Sequence, residues 1–198
     1  DPYVTLGEEM IYRLAIEVPE NGSLNSVFVE DFLPNEVTYI WSEGITASSA
    51  ITSNRGSFAS LSPVYIPGTH MLTRDFWTVT NSDQISWTVE YLYLAYRVRV
   101  NDEVWIVQGS LIQNNATVER SDGSTSWSSV IWEVVEPALE FTKSAQGTHY
   151  DDQHRLGYYL SVEHTSWSTA NAYDVTIIDN LAAWLLESSL VDISVVTG

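Results

Sequence analysis

The segment MIYRLAIEV, residues 10–18, returns as LGYYLSVEH, residues 156–164. Tyr12 falls on Tyr158, Leu14 on Leu160, Ile16 on Val162 and Glu17 on Glu163, an offset of 146. SVFVEDFLP (26–34) returns as DVTIIDNLA (174–182), with Val27 on Val175, Val29 on Ile177, Asp31 on Asp179 and Leu33 on Leu181. The second offset is 148, so the later copy carries a loop two residues longer. Two blocks in the same order restrict the chain to a repeat architecture, in which one supersecondary plan is used twice.

The blocks also state what the plan is made of. In MIYRLAIEV, the apolar set Tyr12, Leu14, Ile16 and Val18 alternates with Ile11, Arg13, Ala15 and Glu17, which is the period of a half-buried strand. PENGS (19–23) is a turn cluster and SVFVEDFLP a second strand. DFWTVTNSDQISWTVEYLYLAYRVRV (75–100) reads as two strands about NSD, the second spanning about 84–100. SLIQNNATVER (110–120) and WSSVIWEVVE (127–136) are further strands, with the turn SDGSTS between them. Residues 42–62 are rich in Ser, Thr, Gly and Ala and read as a loop or a weakly paired edge. No stretch sustains a helical period. Short strands at roughly ten-residue spacing predict an all-β, immunoglobulin-like sandwich.

Pro137 then opens the second copy. ALEFTKS is its first strand, 155–164 its second and 172–181 its third. The expected domains are 1–135, a sandwich without a counterpart of ALEFTKS, and 136–198, the first half of a homologous repeat. The VEP joint (135–137) is expected to be short and extended, because proline restricts the residue before it. The chain opens at Asp1 without a leader and reads as a mature or excised segment of a longer array.

Composition excludes several functions. Acidic residues number 26 against 8 basic, for a net charge of −18. Nucleic-acid binding needs clustered Lys and Arg and is excluded as a partner class. No run of about 18 apolar residues exists to span a membrane as a helix. There is no cysteine, hence no disulfide and no thiol chemistry. No phosphate-binding glycine loop, serine nucleophile elbow or paired-carboxylate motif appears, so no enzyme is expected.

The motifs PALEFTKSA, LGEEMIYRLAIEV, VFVEDFLPNEVTYI and NNATVE resemble the DUF11-type and isopeptide-forming fimbrial repeats of microbial surface proteins. The resemblance runs over most of 1–181. It implies an immunoglobulin-like sandwich used in stalks, adhesins and fibres, extracellular or at the cell surface. It also implies, for some members, a Lys–Asn isopeptide bond inside the domain. Ala182 departs from the pattern, standing where Pro34 stands in copy one.

That bond needs a neutral lysine amine, an asparagine carboxamide and a protonated acid beside them. The candidates are Lys143 as nucleophile, Asn115 (or Asn114) as electrophile, and Asp31 and Asp179 as helpers. Lys143 belongs to the second copy and Asn115 to the first, so the link is expected between neighbours. The alternative is an exposed strand lysine, a strand-end amide and turn-forming aspartates.

HYDDQH (149–154) gathers His149, Asp151, Asp152 and His154, a zinc-like set that also reads as a solvated loop. No cofactor is expected, with calcium at the linkers kept as an open alternative. Asn21 and Asn115 head glycosylation sequons, and the Ser/Thr-rich stretches 42–62 and 121–129 are candidates for O-linked sugar. Trp41, Trp77, Trp87, Trp105, Trp127, Trp132, Trp167 and Trp184 are scattered over different strands, so core packing is expected for most. The leading expectation is a structural subunit that binds copies of itself head to tail by strand complementation. The alternative is a carbohydrate-binding module of a larger secreted protein.

Overall fold

The computed structural model describes residues 2–85, 88–146, 157–168, 170–173 and 175–180. The described strands are β1 (Tyr3–Val4), β2 (Glu9–Glu17), β3 (Gly22–Phe32), β4 (Val37–Ala47), β5 (Ile51–Ser53), β6 (Val64–Ile66), β7 (Met71–Asn81), β8 (Tyr91–Val100), β9 (Leu111–Glu119), β10 (Thr125–Val134), β11 (Leu139–Gln146) and β12 (Gly157–His164). The described helical residues are two short 3₁₀ turns, Phe58–Ser60 and Pro67–Thr69. The protein is all-β, as the alternation predicts.

Residues 3–134 build two sheets. One runs β1-β10-β9-β3-β7-β5, with β6 also on β7; the other runs β2-β8-β4. Strand β8 shows why they face each other. Leu92, Leu94, Tyr96, Val98 and Val100 alternate inward and are all fully buried, while Tyr91, Tyr93, Ala95, Arg97 and Arg99 point away. They meet Val27, Val29, Leu72, Phe76, Val79 and Ile112 of the opposite sheet in one core. That is the sandwich arrangement, two inner faces sharing one apolar layer.

Bulges keep this face continuous where the sequence breaks period two. Leu24 and Val27 are three apart yet both buried, and Ser26 between them has φ 50°. Opposite, Phe76 and Val79 are also three apart and buried, with Trp77 at φ 54°. The ladder shifts register at both places. One extra residue per strand restores the inward phase, so Val27, Val29, Asp31 and Leu33 all end on the inner side.

Three segments differ from the sequence expectation. The stretch 42–62 is not merely a loop: β4 runs to Ala47 along the whole of β8, and β5 pairs β7. The second strand of 75–100 begins at Tyr91, not near 84. Asp83 holds the preceding residues in a turn, accepting the amide N–H groups of Gln84 and Ile85 and the hydroxyl of Thr88. Residues 175–180, expected as a strand, join none of the described ladders.

Strands β11 and β12 form a separate two-stranded antiparallel sheet. Phe141 faces Val162, Lys143 faces Leu160 and Ala145 faces Tyr158. The set stays open: Phe141, Tyr158 and Leu160 are all exposed.

Candidate functional site

The site lies at one side of the sandwich, where the two sheets have unequal reach. β2 is an edge strand of its sheet, whereas the facing sheet continues past β9 to β10. The inner face of β10 is therefore poorly covered. Ser128 is exposed, Val130 is 38% exposed and Trp132 is half-buried, although their ladder partners Ala116, Asn114 and Ile112 on β9 are buried. A groove of about 80 Å³ results, lined by Tyr12, Leu14, Asn114, Ala116, Ser128 and Val130.

Behind its lining residues Tyr12 and Asn114, polar groups gather in the buried layer. Asp31, on β3, is fully buried in the phase of Val27 and Val29. The Tyr96 hydroxyl donates to its Oδ2 at 2.5 Å, and Asn114 donates through Nδ2 to the Tyr96 oxygen at 3.2 Å. Burial pushes the Asp31 carboxyl up from 3.8 to about 6, although Tyr96 and Asn114 draw it back down. Tyr12 and Tyr96 are driven well above the ordinary phenol range by burial first and by the Asp31 charge second. Asp31 Oδ1, Asn114 Oδ1, the Tyr12 hydroxyl and the Trp132 indole nitrogen are buried with no hydrogen-bond partner. A carboxylate this deep with half its lone pairs unmet is costly on its own and well suited to receive a cation.

The second copy shows the cation. Lys143 Nζ donates to Asp179 Oδ1 at 2.6 Å and sits 4.6 Å from the centre of the Tyr158 ring. Asp179 is the repeat counterpart of Asp31, and Tyr158 that of Tyr12. Lys143 is also the sole lysine of the 198-residue sequence. The structure thus brings Lys143 to Asp179 beside the β11–β12 sheet, and Asp31 to Asn114 inside the sandwich.

Of the two amides considered, the one facing Asp31 belongs to Asn114, 3% exposed. Asn115 points the other way, is exposed, and accepts a hydrogen bond from Gln113. Strand pleat decides this: neighbouring residues occupy opposite faces. Asn115 and Thr117 of the sequon therefore sit on the outer side of β9, and Asn21 is exposed in a turn with φ 44°. Sequence reasoning missed Tyr96 and the inner face of β10. The signal for Tyr96 was present, as a tyrosine in the apolar phase of a strand whose other inward residues are aliphatic.

The tryptophans overturn the core-packing expectation. Trp41, Trp77, Trp105, Trp127 and Trp167 are all exposed, Trp132 is half-buried, and Trp87 and Trp184 lie outside the described residues. Arginine covers part of two of them, Arg97 over Trp41 and Arg55 over Trp77. Large aromatics sit outside because the inner layer is filled by Val, Leu, Ile, Phe76 and two tyrosines. The exposed rings come from β4, β7, β10 and two loops, so they do not line up as a row. The 149–154 His/Asp cluster lies outside the described residues. Among the described residues, no group of three or more His, Asp or Glu is placed to hold a metal ion, and no helix is long and apolar enough to cross a membrane.

No protein-family model matches the chain, and no curated protein does. Solved structures similar to it include domains D2 and D3 of the major pilin SpaD of Corynebacterium diphtheriae, 12% identical, TM-score 0.41, over 71% of this chain and 50% of that one. The C-terminal domain of the Streptococcus agalactiae antigen I/II polypeptide BspA is 19% identical, TM-score 0.45, over 66% and 44%. The major pilin subunit BcpA of Bacillus cereus is 11% identical, TM-score 0.45, over 88% and 59%. The chain spans about half the length of these structures.

Proposed function

We propose that this chain is a structural segment of an extracellular filament, stalk or adhesin at the cell surface, without turnover activity. Its β-sandwich repeats join head to tail, each completed by a strand from a neighbouring copy. One observation carries the reading: among the described strands β2 is an edge of its sheet, opposite an uncovered stretch of β10. An open sheet edge above an apolar inner face is a joining surface, because its backbone groups accept a further strand. The exposed β11–β12 sheet supplies a strand of the fitting pattern.

The same corner supports a covalent version. The neutral amine of a lysine delivered to Asp31 attacks Cγ of Asn114. A new C–N amide bond forms, the bond to Nδ2 breaks, and ammonia leaves with a proton passed through Asp31. A carboxyl held up to about 6 by burial is suited to that proton shuttle. Asn21 and Asn115 are outward enough to carry sugar in a surface protein. The carbohydrate-binding alternative gains no support from tryptophans spread over separate faces.

Electron microscopy of the purified chain at high concentration tests the filament reading, with fibres or chains of beads expected. Uniform single particles at every concentration overturn it. A boiled denaturing gel and intact mass test the covalent version: a ladder of multimers, lighter by one ammonia per link, supports it, and free monomer alone rejects it.

A further inference from the structure

Three segments meet at one end of the sandwich: the β3–β4 turn at 33–36, the turn at 67–70 that leads into β7, and Asn101, just past β8. Between them lies an open cleft of about 470 Å³. Small-molecule sites occupy roughly 300–1,000 Å³. The cleft shares no lining residue with the groove between β2 and β10.

Its walls are fixed by hydrogen bonds that cross between the segments. Leu33 N–H donates to the His70 carbonyl, and His70 Nδ1 donates back to the Leu33 carbonyl, both at 3.0 Å. Asn101 N–H donates to the Glu36 carbonyl at 2.8 Å, and its Nδ2 to the Asn35 carbonyl at 2.9 Å. Thr38 Oγ1 donates to Asn101 Oδ1 at 2.6 Å. Walls held in advance lose little freedom when a ligand arrives.

The chemistry of the lining selects the occupant. Asp, Glu, Lys and Arg make up 17% of the sequence, yet none of them lines the cleft. A charged ligand finds no counter-charge there. The lining offers the carboxamides of Asn35 and Asn101, the hydroxyls of Thr38 and Thr69, and the His70 imidazole. Much of their capacity is unused. The Asn35 carboxamide is exposed and bonds to nothing among the described residues. Asn101 keeps a second amide hydrogen and a second lone pair. A carbonyl only accepts, so Nδ1 of His70 carries the ring proton and Nε2 of the neutral ring is left as an acceptor. Buried Val37 and exposed Pro67 add apolar surface. Groups that pair a donor with an acceptor, beside an apolar wall, match adjacent hydroxyls on a ring with C–H faces.

We propose that this cleft binds a neutral saccharide of one or two rings through Asn35, Thr38, His70 and Asn101. The site goes beyond the filament reading and is independent of it, because it uses no tryptophan and no joining strand.

Gly68, at the rim, supplies the test. A Cβ there would meet no atom within 4 Å, and its φ lies outside the left-handed region, so a larger side chain is accommodated without disturbing the fold. Amide NMR spectra of the full chain are recorded during titration with the methyl glycosides of glucose, galactose, mannose, rhamnose and N-acetylglucosamine. At least one is expected to shift the resonances of Asn35, Thr38, Gly68 and Asn101 saturably, with half-saturation between about 0.1 and 10 mM. Gly68→Phe should abolish the shifts at unchanged melting temperature. Asn35→Ala should weaken binding about two- to tenfold, the loss of one hydrogen-bonding side chain. Glycerol, N-acetylneuraminate and the peptide Gly-Ser-Gly should not saturate the site. No saturable shift with any of the five glycosides overturns the proposal, as does binding that survives Gly68→Phe. Saturation by N-acetylneuraminate or by the peptide in place of the glycosides assigns the cleft to an anion or a peptide and overturns it too, and equal saturation by glycerol shows no sugar site. Each result leaves the filament reading where electron microscopy puts it.

Discussion

Two corners of this molecule hold the same residues in opposite conditions. At Tyr12 and Asp31, the carboxylate is fully buried, bonded to Tyr96 and, among the described residues, in no ion pair. At Tyr158 and Asp179, the carboxylate has its cation in Lys143 but both stay partly exposed, the lysine side chain at 35% and the aspartate side chain at 25%. One corner has the low dielectric, the other the charge pair. An ion pair is strong only where both occur, since exposed pairs are screened and lone buried charges are penalised. The difference teaches that burial and counter-charge are supplied separately in the two copies.

The largest test of this contrast compares two phenylalanines. Phe76 is fully buried in the sandwich, and Phe76→Ala should cost about 3–5 kcal/mol in denaturant unfolding. Phe141→Ala should stay within about 0.5 kcal/mol in the dissociated chain, because Phe141 is exposed. A large cost at Phe141 in the monomer would show that the second copy is already covered.

Next comes the buried acid. The Asp31 carboxyl is raised from 3.8 to about 6, so the folded state binds its proton more tightly than the unfolded chain. Its favourable contribution is full below about 3.8 and is lost as pH rises through about 6. Stability of the dissociated chain should fall across that window, and Asp31→Asn should remove the fall and raise stability at pH 7 by about 3 kcal/mol. Tyr12 and Tyr96, which face Asp31 from β2 and β8, stay protonated throughout and do not contribute in this range. Melting temperature against pH checks the sign; a rise from pH 4 to 7 attributable to Asp31 would contradict it. In an assembled form with the lysine in place, the slope should flatten.

Tyr96→Phe removes the donor to that carboxylate. It should cost about 1.5–3 kcal/mol at pH 7 and less at pH 4, where a protonated acid needs the bond less. Equal losses at both pH values would mean the phenol acts through packing alone. The smallest effect belongs to the open corner. Asp179→Asn should change the stability of the dissociated chain by less than about 1 kcal/mol, as for other exposed pairs.

What the sequence made legible follows from where period two survives. MIYRLAIEV and YLYLAYRVRV alternate without interruption, and both are strands with the expected inward sets. Asp31 was readable as inward because it shares the phase of Val27 and Val29. Strand β4 was hidden because its register shifts twice, between Tyr39 and Trp41 and between Ser42 and Gly44, so its apolar residues lose their rhythm. Ile85 and Val89 imitate a strand, but the Asp83 side chain ties up the backbone there. Asn114 and Asn115 are adjacent and chemically equal, so only the phase of β9 against Ile112 and Ala116 separates them. The exposed tryptophans were not legible as such, because their bulk argues for burial and the stacked arginines come from other strands or turns.

The short strand β1 has a mechanical consequence. Tyr3 and Val4 run parallel to Glu133 and Val134, with Glu133 N–H bonded to Pro2 at 2.9 Å and Val135 N–H to Val4 at 2.8 Å. The chain thus enters and leaves residues 3–134 along neighbouring parallel tracks. Tension applied through residues 2 and 135 pulls those tracks in opposite directions along their own length. The bonds between them are loaded together, in shear, and cannot be opened one at a time as in a zipper. Resistance to pulling is set by the rate of unfolding and not by equilibrium stability. A unit wired in this way bears load out of proportion to its free energy of folding, and β1, two residues long, is the clamp.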